Sequence, residues 1–129
     1  MEKQLSIRGL DTARGIYLTG GTISGYLETL ALYCANAESY LSDFPGAPDE
    51  ERLSAFTIRV HALKSASASV GAQSLSQEAA ILEEAGKTGN QVVIQERFGV
   101  FNGELSQLTE RIRGELKGAD SSPIVREAL

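Results

Sequence analysis

The stretch IQERFGVFNGELSQLTERI, residues 94–112, carries six large apolar side chains: Ile94, Phe98, Phe101, Leu105, Leu108 and Ile112. They are spaced by four, three, four, three and four residues. A helix turns about 100° per residue, so all six fall on one narrow stripe, whereas a strand would scatter them over two faces. Steps of this kind form the seam between packed, nearly antiparallel helices. The spacing predicts a helix over about 91–117 that belongs to a bundle.

The same reading extends backward along the chain. Lys87-Thr88-Gly89-Asn90 supplies a glycine that ends one helix and an asparagine that starts the next. The preceding helix is predicted over about 72–87, with Leu75, Ala79 and Leu82 inward. Gly71 marks a turn or a close helix approach, and a helix over about 49–69 comes before it, with Asp49 beside Pro48 at its start. The loop Pro45-Gly46-Ala47-Pro48 separates it from a helix that Thr22 caps and that runs to about Phe44. That helix shows the stripe Ile23, Leu27, Leu30, Cys34, Ala37 and Leu41. Gly20-Gly21 breaks it from a short first helix over about 11–18, capped by Asp11. Tyr17, Tyr26, Tyr33 and Tyr40 read as packing residues, and Cys34 as a small buried hydrophobe. No segment alternates for long in the manner of a strand. Short loops make neighbouring long helices antiparallel. The expected fold is all-α, an up-down-up-down antiparallel four-helix bundle with a short extra N-terminal helix. The domain is expected over residues 1–118, with a mobile tail over 119–129.

Composition narrows the function classes. A chain of 129 residues is one ordinary domain that needs no staples. The net charge of −5 argues against a nucleic-acid or anionic-membrane partner, because the field repels phosphate. One cysteine permits neither an intrachain disulfide nor a cysteine-based zinc site. The first residues, MEKQLSIRGLD, lack the apolar core of a secretory signal, and no run approaches the roughly 20 apolar residues that span a bilayer. The expectation is a soluble cytoplasmic protein, or a domain of a longer one, with no cofactor, no metal and a monomer as the simplest state.

The single histidine lies in HALKSASASVGA, residues 61–72, among mostly small side chains. With His61 at zero, Leu53, Phe56, Val60, Leu63 and Val70 fall between about −80° and about −180°, so the histidine lies off the core stripe. Ser54, Thr57, Lys64, Ser65 and Ala68 lie within about 60° of it, and Ile58 sits beside them. The plain alternative is a solvated surface histidine. With no second histidine and no cysteine cluster, a metal or haem site lacks ligands, and no acid–base arrangement singles out a serine nucleophile. A neutral imidazole nitrogen is, however, a good nucleophile near neutral pH. In phosphoryl transfer it needs in-line access to phosphorus, which small neighbours permit. Lys64, one turn on, can neutralise phosphoryl oxygens.

At these residues the sequence resembles the histidine-containing phosphotransfer (HPt) domains of two-component phosphorelays. The resemblance rests on His61-Ala62-Leu63-Lys64-Ser65, the small residues to Val70, Gly71-Ala72, Leu75, the pair Leu82-Glu83 and the closing Lys87-Thr88-Gly89-Asn90. GLDTARGIYLTGG, residues 9–21, is similar to the family's entry segment, and the likeness covers about residues 7–117. It implies that His61 accepts a phosphoryl group on Nε2 from a receiver-domain aspartate and passes it to another receiver. It further implies Lys64 as the residue stabilising the phosphorylated state, Ser65 at a close-approach position, and a docking face of Ser54, Thr57, Ile58 and Ala68. Response-regulator receiver domains, and a hybrid sensor kinase, are the implied partners, and the Mg²⁺ that transfer needs belongs to the receiver. No phosphate-binding loop or kinase motif is present, so the implied role is a carrier and not a kinase. Ser65 departs from the glycine usual at its place, which bears on how closely a partner approaches, and its hydroxyl is expected to stabilise the phosphoryl group by donating to one of its oxygens. Glu83 and Lys87 are further candidates facing the histidine's edge; their plain reading is as solvated helix charges. The competing functions are a bundle that binds receivers without carrying phosphate, and a ligand- or metal-binding bundle.

Overall fold

The computed structural model describes residues 5–120. Each helix begins and ends where local chemistry dictates. Asp11 accepts from the Arg14 amide and starts α1, Thr12–Leu18. Gly20 and Gly21, both at positive φ, turn the chain. Thr22 accepts from the Gly25 amide and starts α2, Ile23–Asp43. Helices α3, Leu53–Val70, and α4, Gln73–Thr88, are joined only by Gly71 and Ala72. Gly89 is the left-handed cap of α4, and the Asn90 side chain accepts from the Val93 amide at the start of α5, Gln91–Asp120. Helix α2 packs on α3 and α5, and α4 packs on the same two, which closes a four-membered ring; α1 covers the α2–α3 end. No helix of the described residues is long and apolar enough to cross a membrane.

Two boundaries and one stripe differ from the sequence reading. Asp49 does cap, but it caps a single turn: the Arg52 amide bonds both its side chain and its carbonyl, and α3 starts only at Leu53. Helix α5 runs to Asp120, so the expected tail begins inside a helix, and its residues 121–129 lie outside those described. On α2, Ile23 is exposed and Leu41 only half-buried. The expected Leu27, Leu30, Cys34 and Ala37 are buried, and the seam is completed by Tyr26, Tyr33 and Tyr40, which with Leu30 and Ala37 run at steps of four and three and are fully or almost fully buried. Tyrosine can take a seam position because its hydroxyl finds a partner at the far side. Tyr26 donates to the Val70 carbonyl (2.8 Å), Tyr33 pairs with the Ser67 hydroxyl (2.8 Å), and Tyr40 donates to Asn102 Oδ1 (2.8 Å). Burial pushes the Tyr33 phenol up to about 12. Tyr17 is the exception, at 79 % exposure. Helix α1 is only two turns long and buries Gly15, and a residue two positions on points the other way.

The α5 stripe is buried throughout, as are Leu75, Ala79 and Leu82 of α4 and Phe56, Val60, Leu63 and Val70 of α3. Cys34 is buried among them and burial raises its thiol to about 11. At one end Tyr40, Phe44, Phe56, Phe98 and Phe101 form an aromatic cluster, with Arg52 stacked 4.3 Å above the Phe44 ring. At the other end Gly71, at φ +89°, lets the Asp11 amide reach its carbonyl at 2.9 Å. A side chain there would collide with the Asp11 carbonyl oxygen.

The α5 glycines Gly99 and Gly103 face open space, where an added Cβ meets nothing within 4 Å. Gly99→Ala and Gly103→Ala should each raise unfolding free energy by about 0.5–1 kcal/mol, read by urea denaturation. Gly86 on α4 is the opposite case, because its Cβ would overlap Thr57 Oγ1 on α3. Gly86→Ala should destabilise by about 1–3 kcal/mol in the same measurement.

Candidate functional site

The α3–α4 pair sets the site. Short side chains on α4 let the two helices approach closely. Gly86 abuts Thr57, and the Ser76 hydroxyl donates to the Lys64 carbonyl at 2.9 Å. Between those two contacts, Glu83 lies one turn from Gly86 and two from Ser76, so its carboxylate points into the α3–α4 contact. Its side chain is only 6 % exposed. A lone buried carboxylate is costly, and it persists only with charge-assisted partners. Glu83 has three. Lys64 Nζ lies 2.6 Å from Oε1; His61 Nδ1 lies 2.5 Å and Lys87 Nζ 3.4 Å from Oε2. The Lys64 hydrogen bond above all, with those from His61 and Lys87, outweighs burial and holds the carboxyl down to about 2.

An ionised carboxylate only accepts, so the hydrogen-bonding pattern assigns the proton to His61 Nδ1. In the neutral ring Nε2 then carries the free lone pair. The imidazole side chain is 59 % exposed, and Nε2 has no hydrogen-bond partner among the described residues. The arrangement is a nucleophilic nitrogen facing solvent, with its ring orientation fixed from behind by a buried anion. That is the base–orienter geometry of activated nucleophiles. Glu83 is thus not a solvated helix charge. Lys87, whose side chain is 60 % exposed, keeps one foot in solvent.

The strip of residues predicted around His61 splits in two. Thr57, Lys64 and Ala68 lean toward α4 and are half-buried; Thr57 packs on Gly86, and its hydroxyl donates to the Leu53 carbonyl. Ser54, Ile58 and Ser65 lie on the open side with Ala62 and Ser69, and all five are exposed. Ile58, at 67 %, is the one large apolar side chain among them. The Ser65 hydroxyl makes no hydrogen bond among the described residues, while its carbonyl accepts from Ser69 at 3.0 Å. Sequence reasoning missed Ser76 and Gly86. Their signal was a run of small or short residues on the α4 face (Ser76, Ala79, Ala80, Gly86), legible only once that face is known to meet α3. No group of three or more metal-ligating side chains occurs among the described residues.

The lowered Glu83 carboxyl links stability to acid. Its contribution is fully present above the ordinary carboxylate value of 4.5 and is lost as pH falls toward about 2. Glu83→Gln should flatten the fall of unfolding free energy between those pH values, measured by chemical denaturation across the range.

A model of the Hpt domain family matches residues 28–115. No curated protein and no solved structure matches the chain. The matched span takes in the greater part of the chain, including α3 and α4 with the histidine and the carboxylate behind it. Hpt domains are helical bundles that carry phosphoryl groups and work with receiver domains and kinases in two-component signalling. The chain belongs to this family, the histidine phosphotransfer domains.

Proposed function

We propose that this chain is a phosphorelay carrier that accepts a phosphoryl group on His61 from a receiver-domain aspartyl phosphate and returns it to the aspartate of another receiver. The observation that carries the reading is the division of the imidazole: Nδ1 is engaged by buried Glu83 and Nε2 is free on an exposed ring. The Nε2 lone pair attacks phosphorus in line, the N–P bond forms as the P–O bond to the aspartate breaks, and the aspartate leaves as a carboxylate. The ring, still holding its Nδ1 proton, gains positive charge, which Glu83 stabilises at 2.5 Å. Transfer to the second receiver is the reverse.

Neighbouring side chains fit this chemistry. Ala62, Ser65 and Ser69 leave space beside the ring for an incoming aspartyl phosphate, and Ile58 offers one apolar contact within a turn of it. With Ser54 they make the exposed part of a receiver-docking face; Lys64 and Lys87 supply positive charge beside the transferred group. The reading takes the protein to be cytoplasmic and monomeric.

Mixing with a phosphorylated receiver domain should place acid-labile, base-stable phosphate on the protein, and His61→Gln should abolish it. A glutamine variant that labels as well as the parent would sink the assignment. Receiver binding without any label would instead favour a bundle that docks receivers and carries nothing.

Glu83→Gln tests the orienting role. The amide keeps a hydrogen bond to the ring but removes the charge, so transfer should slow by about 10–100-fold with receiver affinity little changed. Stopped-flow transfer against receiver concentration separates the two.

A further inference from the structure

The two lysines on Glu83 are not equivalent. Oε1 has one donor among the described residues, Lys64, while Oε2 has two, His61 and Lys87. Withdrawing Lys64 leaves a buried carboxylate oxygen without a donor, the expensive outcome for a charge that is 6 % exposed. Withdrawing Lys87 leaves both oxygens satisfied. The contacts differ in the same sense, at 2.6 Å for Lys64 and 3.4 Å for Lys87. So do the surroundings: the Lys64 side chain is half-buried at 34 % exposure, and Lys87 is mostly in solvent. Lys87 also shares its oxygen with the imidazole, so its ammonium lies on the ring's side of the carboxylate.

From this asymmetry we infer that Lys87 is the cation that moves onto the phosphoryl oxygens when His61 is phosphorylated, while Lys64 stays on Glu83 and holds the ring's orientation through it. The inference rests on the phosphocarrier reading above, and it reverses the role that resemblance alone gives to Lys64. A phosphoryl dianion attracts a cation more strongly than the shared carboxylate oxygen does, since Oε2 keeps its bond to Nδ1 after the lysine leaves. The four-carbon stem supplies the reach. Lys87 is then a residue that touches the transferred group, and Lys64 a positioning residue.

The test labels the parent and each variant with phosphoramidate, a small-molecule phosphoryl donor, and follows two quantities: the half-life of the phosphohistidine and the ring ¹⁵N shifts of unphosphorylated His61. Hydrolysis goes through a loose, metaphosphate-like transition state with less charge on the phosphoryl oxygens than the ground-state dianion. A cation on those oxygens therefore lengthens the half-life. Lys87→Gln should shorten it about fivefold, the size of one exposed charge contact, with the ring shifts unmoved, and Lys87→Arg should restore it. Lys64→Gln should move the ring shifts, because the carboxylate that sets the tautomer is disturbed, and should shorten the half-life less than Lys87→Gln does. An unchanged half-life in Lys87→Gln, or a larger loss in Lys64→Gln, overturns the inference and leaves the carrier reading standing. A parent that takes no label on His61, or a label that survives His61→Gln, overturns both.

Discussion

A buried carboxylate between two helices is the constraint on which this structure turns. Glu83 can remain ionised out of solvent only while it keeps its donors, and all four groups in that cluster are held on helices. His61 and Lys64 are one turn apart on α3; Glu83 and Lys87 are one turn apart on α4. Hydrogen-bond distances of 2.5 and 2.6 Å from α3 to one carboxylate require the two helices to be close along that whole stretch. Gly86 and Ser76 provide that closeness, on either side of the carboxylate. A change in helix separation is therefore a change in imidazole orientation, and packing and chemistry share the same residues.

The opposite side of α3 is held as firmly. Phe56, Val60 and Leu63 are buried in the core, and Tyr26 and Tyr33 of α2 bond the last turn of α3 through the Val70 carbonyl and the Ser67 hydroxyl. The Asp11 amide bonds the Gly71 carbonyl just beyond it. Helix α3 is thus fixed on its core side by apolar burial, at its end by hydrogen bonds, and on its α4 side by the ion cluster. What remains is one exposed strip, Ser54, Ile58, Ala62, Ser65 and Ser69, and the imidazole stands at its edge. A group of this kind keeps a productive geometry because its support was ordered when the chain folded and needs no reorganisation when the partner arrives.

How much of this the sequence discloses follows from what one-dimensional spacing can encode. The α5 stripe was fully legible because large apolar residues at steps of three and four have only one good solution. On α2 the same rule placed Ile23 and Leu41 on the stripe along with residues that are buried, and it marked the tyrosines as packing without saying what their hydroxyls bond; the Val70 carbonyl, the Ser67 hydroxyl and Asn102 are those partners, and all are distant in sequence. The angle of His61 on its own helix was legible. Glu83 and Lys87 already stood as candidates facing its edge, but how closely α4 packs on α3 was not legible, and so six residues near the imidazole read as one face, when three of them are half-buried toward α4. Glu83 shows the limit most clearly. A glutamate on an amphipathic helix reads as solvated unless its neighbour in space is known, and burial of a charge is a tertiary fact with no local signature.

Ser65 is the position where the sequence departs from the pattern it resembles, which has glycine there, and the structure gives a serine at this place a physical cost and benefit. The residue sits on the open side of α3, exposed and helical, one turn beyond the imidazole. Glycine in a helix interior is less favourable than serine by about half a kcal/mol, so serine strengthens α3 at a point where only α4 and the core otherwise hold it. Against that stands one Cβ and one hydroxyl on the face proposed to meet a receiver. The hydroxyl has no partner within the described residues and its carbonyl is already engaged by Ser69, so the group is free to donate outward. In the proposed transfer an incoming phosphoryl group would meet at this position a small donor, where glycine would offer only space. In the proposed relay the substitution shifts the site from pure steric access toward a contact, and because Ser65 flanks the imidazole on the side away from Lys64, it leaves the orientation of the ring to the buried carboxylate.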